Sequence, residues 1–295
     1  MKSSNPYMTS LTKAEGELQR GQAMAHQAGG QGWGGQGGGY ARNPYGQQYQ
    51  QSPNYAAPAP AASADRPMTV DDVVTKTGIT LAVIVVFAAV NLFIGVSGNT
   101  SLAMGLTFIG AIGGFIAVLV SSFGKKYGSA ATTLIYAAFE GLFVGGFSWV
   151  LTDVKIGGAG GAGLIFQAVL GTVGVFIGML VVYKTGAIRV TPKFTKFMLS
   201  ALIGVAVLAL GNLVISFFGD GAGPLRDGGA LGWIFSLVCI GLAAMSFLLD
   251  FDTADKLIRA GAPSKMAWGV ALGLAVTLVW LYTEILRILS MLQGD

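Results

Sequence analysis

Seven long apolar runs, separated by short polar joints, fill the chain from Ile79 to Leu292. The pattern places them over residues 79–97, 102–123, 130–151, 162–183, 197–218, 230–249 and 267–290. Each reaches the roughly 20 apolar residues that a helix needs to cross the hydrocarbon of a bilayer. None alternates polar and apolar positions with period two, so the runs are helices and not barrel strands. In lipid every backbone polar group must be satisfied internally, which a helix does within its own segment. The expected fold is all-α: a polytopic membrane bundle of seven transmembrane helices, spanning residues 67–295. The short joints make sequential helices antiparallel neighbours.

The first 66 residues break this pattern. They are rich in Gly, Gln, Ala, Pro, Tyr and Ser, and Gly29–Tyr55 is of low complexity with scattered aromatics. Such a segment buries too little apolar surface to offset its ordering entropy, so a disordered tail is expected. It has no apolar core of the kind a secretory signal needs. Its Gly, Gln and Tyr content suits self-association or partner binding. Just beyond it, TVDDVVTK reads as a helix start, with Thr69 as cap and Asp71 and Asp72 at the positive helix end.

The joints differ in charge. The second holds Lys125 and Lys126, the fourth Lys184, Arg189, Lys193 and Lys196, and the sixth Lys256, Arg259 and Lys265. The first has no base, the third has Lys155 and the fifth Arg226. Nine bases against two put the even joints and the tail in the cytoplasm, and the odd joints and the C-terminus outside.

Composition narrows the chemistry. Hydrophobic residues make up 53% of the chain and charged ones 11%, against about 25% charged in a soluble domain. The net charge of +4 is small and gives no reason to expect nucleic acid. One cysteine, Cys239, and one histidine, His26 in the tail, leave no cysteine disulfide framework, zinc site or hydrolytic triad in the membrane. No enzyme is expected and no resident cofactor. Paired acids could suggest an intramembrane aspartyl protease, but the Gly-x-Gly-Asp context is absent.

Ionisable groups inside membrane helices are costly, and they mark candidate sites. Glu140 sits halfway along the third run; it serves either a cation pathway or a bond to a neighbouring helix. Asp250, Asp252 and Asp255 crowd the end of the sixth run in LLDFDTADKLI, where acids oppose the helix dipole and call for a base or a bound cation. Asp252 and Asp255 share a face. Glu284 lies in the last run with Arg287 three residues on, a spacing at which the two can neutralise each other. Thr277, Glu284 and Arg287 fall roughly along one side of that helix. Glycines at three- and four-residue spacing, such as Gly110 and Gly114 or Gly171, Gly174 and Gly178, suit close helix packing.

With these features the chain resembles the Bax-inhibitor family of membrane proteins, over about residues 68–292. The likeness rests on seven spans, Lys125 and Lys126 before the third, a Phe- and Gly-rich third span, FDTADKLI after the sixth, and VALGLAVTLVWLYTEILRIL as the last. It implies a last helix surrounded by the others, and a pH-sensitive calcium leak path in the bacterial inner membrane. Two acids, from the sixth and seventh helices, would share a proton and hold that path shut. Asp252 matches the first acid and is the candidate oxygen ligand for calcium as cargo. The second position falls on Thr277 when counted without gaps, or on Glu284 with a seven-residue insertion. Lys125 stands nearest to the family's basic cluster. Two close carboxyls cannot both ionise cheaply, so losing the shared proton would open the path. The rival reading is a non-transporting regulator that binds other membrane proteins, such as a membrane protease, through the tail.

Overall fold

The computed structural model describes residues 66–124, 126–154, 161–219, 223–226 and 228–293. Of the expected disordered tail, residues 1–65 lie outside the described residues, as does Lys125, while its last residue, Arg66, is described. Seven helices follow in order: α1 Val70–Val96, α2 Thr100–Phe123, α3 Ala130–Trp149, α4 Gly161–Thr185, α5 Pro192–Phe218, α6 Ala230–Arg259 and α7 Ala267–Gln293. All seven are long and apolar enough to cross a membrane. A π-helical turn, Val150–Val154, extends α3, and a 3₁₀ turn, Ser264–Met266, precedes α7.

The helices outrun the apolar runs where polar residues continue them. α1 begins nine residues before the expected span, because Thr69 and Asp72 form a reciprocal capping box at its start. α5 begins at Pro192, with the Thr191 side chain accepting from the Phe194 amide. α6 runs ten residues beyond its apolar segment, and the pairs Asp252–Lys256 and Asp255–Arg259 lace that extension at i, i+4 spacing.

α7 is the hub. It packs on α1, α3, α4 and α6, and it is the most deeply buried of the spans. Leu281, Leu286, Ala271 and Ala275 on it are fully enclosed. α1 and α2 both lie against α3. The closeness of α1 and α3 depends on Gly141 and Gly145: a Cβ at either would run into the backbone carbonyl of Ile84 or Ala88. α5 is the peripheral helix, seated chiefly on α6.

Two devices tie the bundle together across helices. Asn91 of α1 donates from Nδ2 to Thr107 Oγ1 (3.0 Å) and to the Leu142 carbonyl (2.7 Å), joining α1, α2 and α3. At the opposite end, Pro67 and Pro263 form an antiparallel β-bridge. The Met68 amide donates to the Ala262 carbonyl and the Ser264 amide to the Arg66 carbonyl, each at 2.8 Å. Arg66 grips Asp72 with two bonds of 2.8 and 2.7 Å, and Lys76 donates to the Ser264 carbonyl. These contacts clasp the segment before α1 onto the α6–α7 joint.

Candidate functional site

The acids expected to act together are separated by the fold. On α6, Asp250 and not Asp252 reaches the last helix: Thr277 Oγ1 donates to Asp250 Oδ2 at 2.8 Å. Residues two apart on a helix point about 160° away from each other, so only one of the two can face α7. Asp252, the residue that matches the family's first latch acid in sequence, turns instead to Lys256, at 2.6 Å. Asp255 pairs with Arg259 at 2.8 Å and receives a long bond from the Tyr183 hydroxyl at 3.5 Å. Among the described residues, no group of three or more His, Cys, Asp or Glu gathers to hold a metal, and the oxygens of Asp252 face an ammonium.

Asp250 is half-buried, because its carboxyl lies on the wall of a cavity of about 380 Å³. The cavity is formed by the end of α2 (Val118, Ser121, Ser122), Tyr127 of the α2–α3 joint, Asp250 and Thr253 of α6, and the α7 face from Gly269 to Thr277. It lies at the end of the bundle that carries the basic joints. Among the described residues Asp250 makes no ion pair; its neighbours are the Thr277 hydroxyl and Tyr127. Burial and the nearby Asp250 carboxylate hold the Tyr127 phenol above its ordinary range, so it is neutral at physiological pH.

Glu284 belongs to a different site. Seven residues beyond Thr277, it is displaced by about 10 Å along α7. It is fully enclosed and lies between two guanidinium groups: Arg226 Nη2 is 3.2 Å from Oε1, and Arg287 Nη1 is 3.7 Å from Oε2. Arg287 also donates to the Leu225 carbonyl at 2.7 Å, and the Leu225 amide donates to Asn212 Oδ1 at 2.9 Å. The turn before α6 is thus pinned to the far end of α7. The i, i+3 pairing of Glu284 with Arg287 is present, and Arg226 joins it from the α5–α6 joint.

Glu140 points to neither site. Its carboxyl lies against α2 at Gly114, where an added Cβ would come within 2.8 Å of Oε2. It sits one turn from the buried Tyr136 on its own helix. Thr277, Asp250 and Tyr127 are therefore one group, Glu284, Arg287 and Arg226 a second, and Glu140 stands apart.

Sequence reasoning named Asp250 within the acid cluster and Arg226 as a joint base but gave neither a place in a site, and it passed over Tyr127. A signal for Asp250 was present: Asp252 and Asp255 each have a base four residues on, whereas four residues after Asp250 stands Ala254. The carboxyl without a local base is the one that turns inward. Tyr127 and Arg226 act over long range and leave no such local trace.

Comparison with known proteins agrees with the fold. A search of curated proteins found no match. A family model described as Bax inhibitor 1 like matches residues 5–294, so the match takes in most of the tail as well as the helices. The chain, with seven membrane-length helices around a central last one and a match over nearly its whole length, belongs to the Bax inhibitor 1-like family.

Proposed function

We propose that the protein is a proton-sensitive cation leak path, with calcium as cargo, in which Asp250 and Thr277 occupy the place of the two-acid latch. The observation that carries this reading is the Thr277–Asp250 bond across α6 and α7 at the wall of a cavity whose lining mixes hydroxyls with apolar side chains. A carboxylate in a bundle interior is costly and is retained for function by default. Its oxygen suits a hard cation such as calcium. Gain or loss of a proton changes the charge between the two helices at the point where they are joined. The groups facing Asp250 are the Thr277 hydroxyl of α7, Ser121 and Ser122 of α2 and the neutral Tyr127. Calcium flux into liposomes, measured across pH, tests it: Asp250→Asn removes the pH dependence, and an unchanged profile refutes the assignment.

The charge bias of the joints supports placement in a bacterial inner membrane with the cavity end cytoplasmic. Reporter fusions at the two termini test that orientation. A non-transporting regulator is the second reading. It is favoured by the long tail, whose Gly, Gln and Tyr content suits association with a partner. Co-purification of the same membrane partners by a chain lacking residues 1–65 would assign that role to the helices, and their loss would assign it to the tail.

A further inference from the structure

The cavity below Asp250 has a built mouth. Lys126 to Ser129 make a tight turn in which the Ser129 amide donates to the Lys126 carbonyl at 3.0 Å. Gly128 takes φ +86° at its third position, which defines a type II arrangement and presents Tyr127 at the second. The turn is fixed on both sides. Ser129 caps α3, accepting from the Thr132 amide. Gly128 lies tight against Lys265 and Met266, leaving little room for a Cβ. The Tyr127 ring then lies against Gly269, where a Cβ would fall 2.5–2.7 Å from ring carbons. Tyr127 is 42% exposed overall while also lining the cavity, so it stands at the boundary between the cavity and the outside. The remaining lining grades from exposed Ser122 and Thr253 at the joints to half-buried Val276 and buried Thr277.

From this geometry we infer that Tyr127, seated on Gly269, is the gate that limits access of water and small cations to the Asp250–Thr277 pair from the basic end. The inference rests on the proposed role of that pair only for its functional meaning. The gate itself is a matter of access. The barrier is the ring and not the hydroxyl, since the contact with Gly269 is made by ring carbons. Gly269 is the seat because any side chain there displaces the ring, although an alanine is the better helix former.

Cysteine accessibility tests the gate without using flux. Cys239, the sole cysteine, is buried and is replaced by serine. Val276→Cys then reports from deep in the cavity and Thr253→Cys from its mouth, each reacting with a small cationic methanethiosulfonate in proteoliposomes. Tyr127→Ala should speed reaction at position 276 by roughly tenfold, the factor for about 1.4 kcal/mol of lost closure. Position 253 should be unaffected, Tyr127→Phe should match the parent, and Gly269→Ala should speed position 276 only while Tyr127 is present. A rate at position 276 within twofold of the parent in Tyr127→Ala, or an equal rise at position 253, overturns the gate. Calcium flux unchanged by Asp250→Asn would instead overturn the proposed function, leaving the accessibility result standing.

Discussion

Thr277 holds one proton between two acceptors: its Oγ1 lies 2.8 Å from Asp250 Oδ2 and 3.2 Å from the Gly273 carbonyl of its own helix. A hydroxyl both donates and accepts. When Asp250 is ionised, Thr277 donates to it. When Asp250 is protonated, Thr277 can turn its proton to Gly273 and accept instead. The bond between α6 and α7 therefore survives either state, so that what the proton changes is the charge on the cavity wall and its attraction for a cation, not the joint itself.

Thr277→Val removes that hydroxyl and leaves a carboxylate oxygen without its partner. An unsatisfied buried acceptor costs about 1–3 kcal/mol. Thermal unfolding in detergent should show a lower midpoint, and calcium leak in liposomes should rise. Thr277→Asp restores two facing acids, and its flux should depend more steeply on pH than the parent's.

Asp250→Asn and Asp252→Asn should behave differently. Asp252 and Lys256 form an i, i+4 pair whose lysine end is exposed, and such helix pairs are worth about 0.3–0.5 kcal/mol. Flux and its pH profile in Asp252→Asn should match the parent, while those of Asp250→Asn change. Parallel pH profiles for the two variants would return the site to the rim.

Glu284→Ala leaves Arg287, only 5% exposed, without its carboxylate inside the bundle. Breaking a buried pair by removing one partner costs about 3–5 kcal/mol. Arg226→Ala should cost less, because Arg226 is a third exposed and Arg287 still faces Glu284. Unfolding midpoints of the two variants should fall in that order.

Removing residues 1–65 leaves the clasp at the α6–α7 joint whole, whereas removal through Met68 takes away both of its backbone bonds and a buried side chain. Met68→Ala alone should cost about 2–5 kcal/mol, as for other core truncations. The shorter deletion should unfold at the parent's temperature and the longer one well below it.

Hydropathy made the seven spans and their order legible, because lipid enforces long uninterrupted apolar helices. The central place of α7 was expected from the family resemblance, and the buried-type pair Glu284 and Arg287 within that span agreed with it. Helix ends were less so. α6 continues to Arg259 on charge pairs that hydropathy scores as a joint, and α1 starts at a cap outside the apolar run. The acids were legible as residues but not as partners. Facing across helices depends on rotation about each axis, and a two-residue error exchanges Asp250 for Asp252. Arg226 meets Glu284 across 58 positions, a distance over which sequence spacing carries no information.

The clasp joins the segment entering the first helix to the joint before the last. Residues 66–68 can find 262–264 only after nearly the whole chain has been made and inserted. Six helices must therefore be threaded before this end of the bundle is sealed, and until then the lead segment waits without its mate. A ribosome-stalled chain ending before residue 262 should leave Arg66 and Met68 open to protease, and release of the full chain should close them.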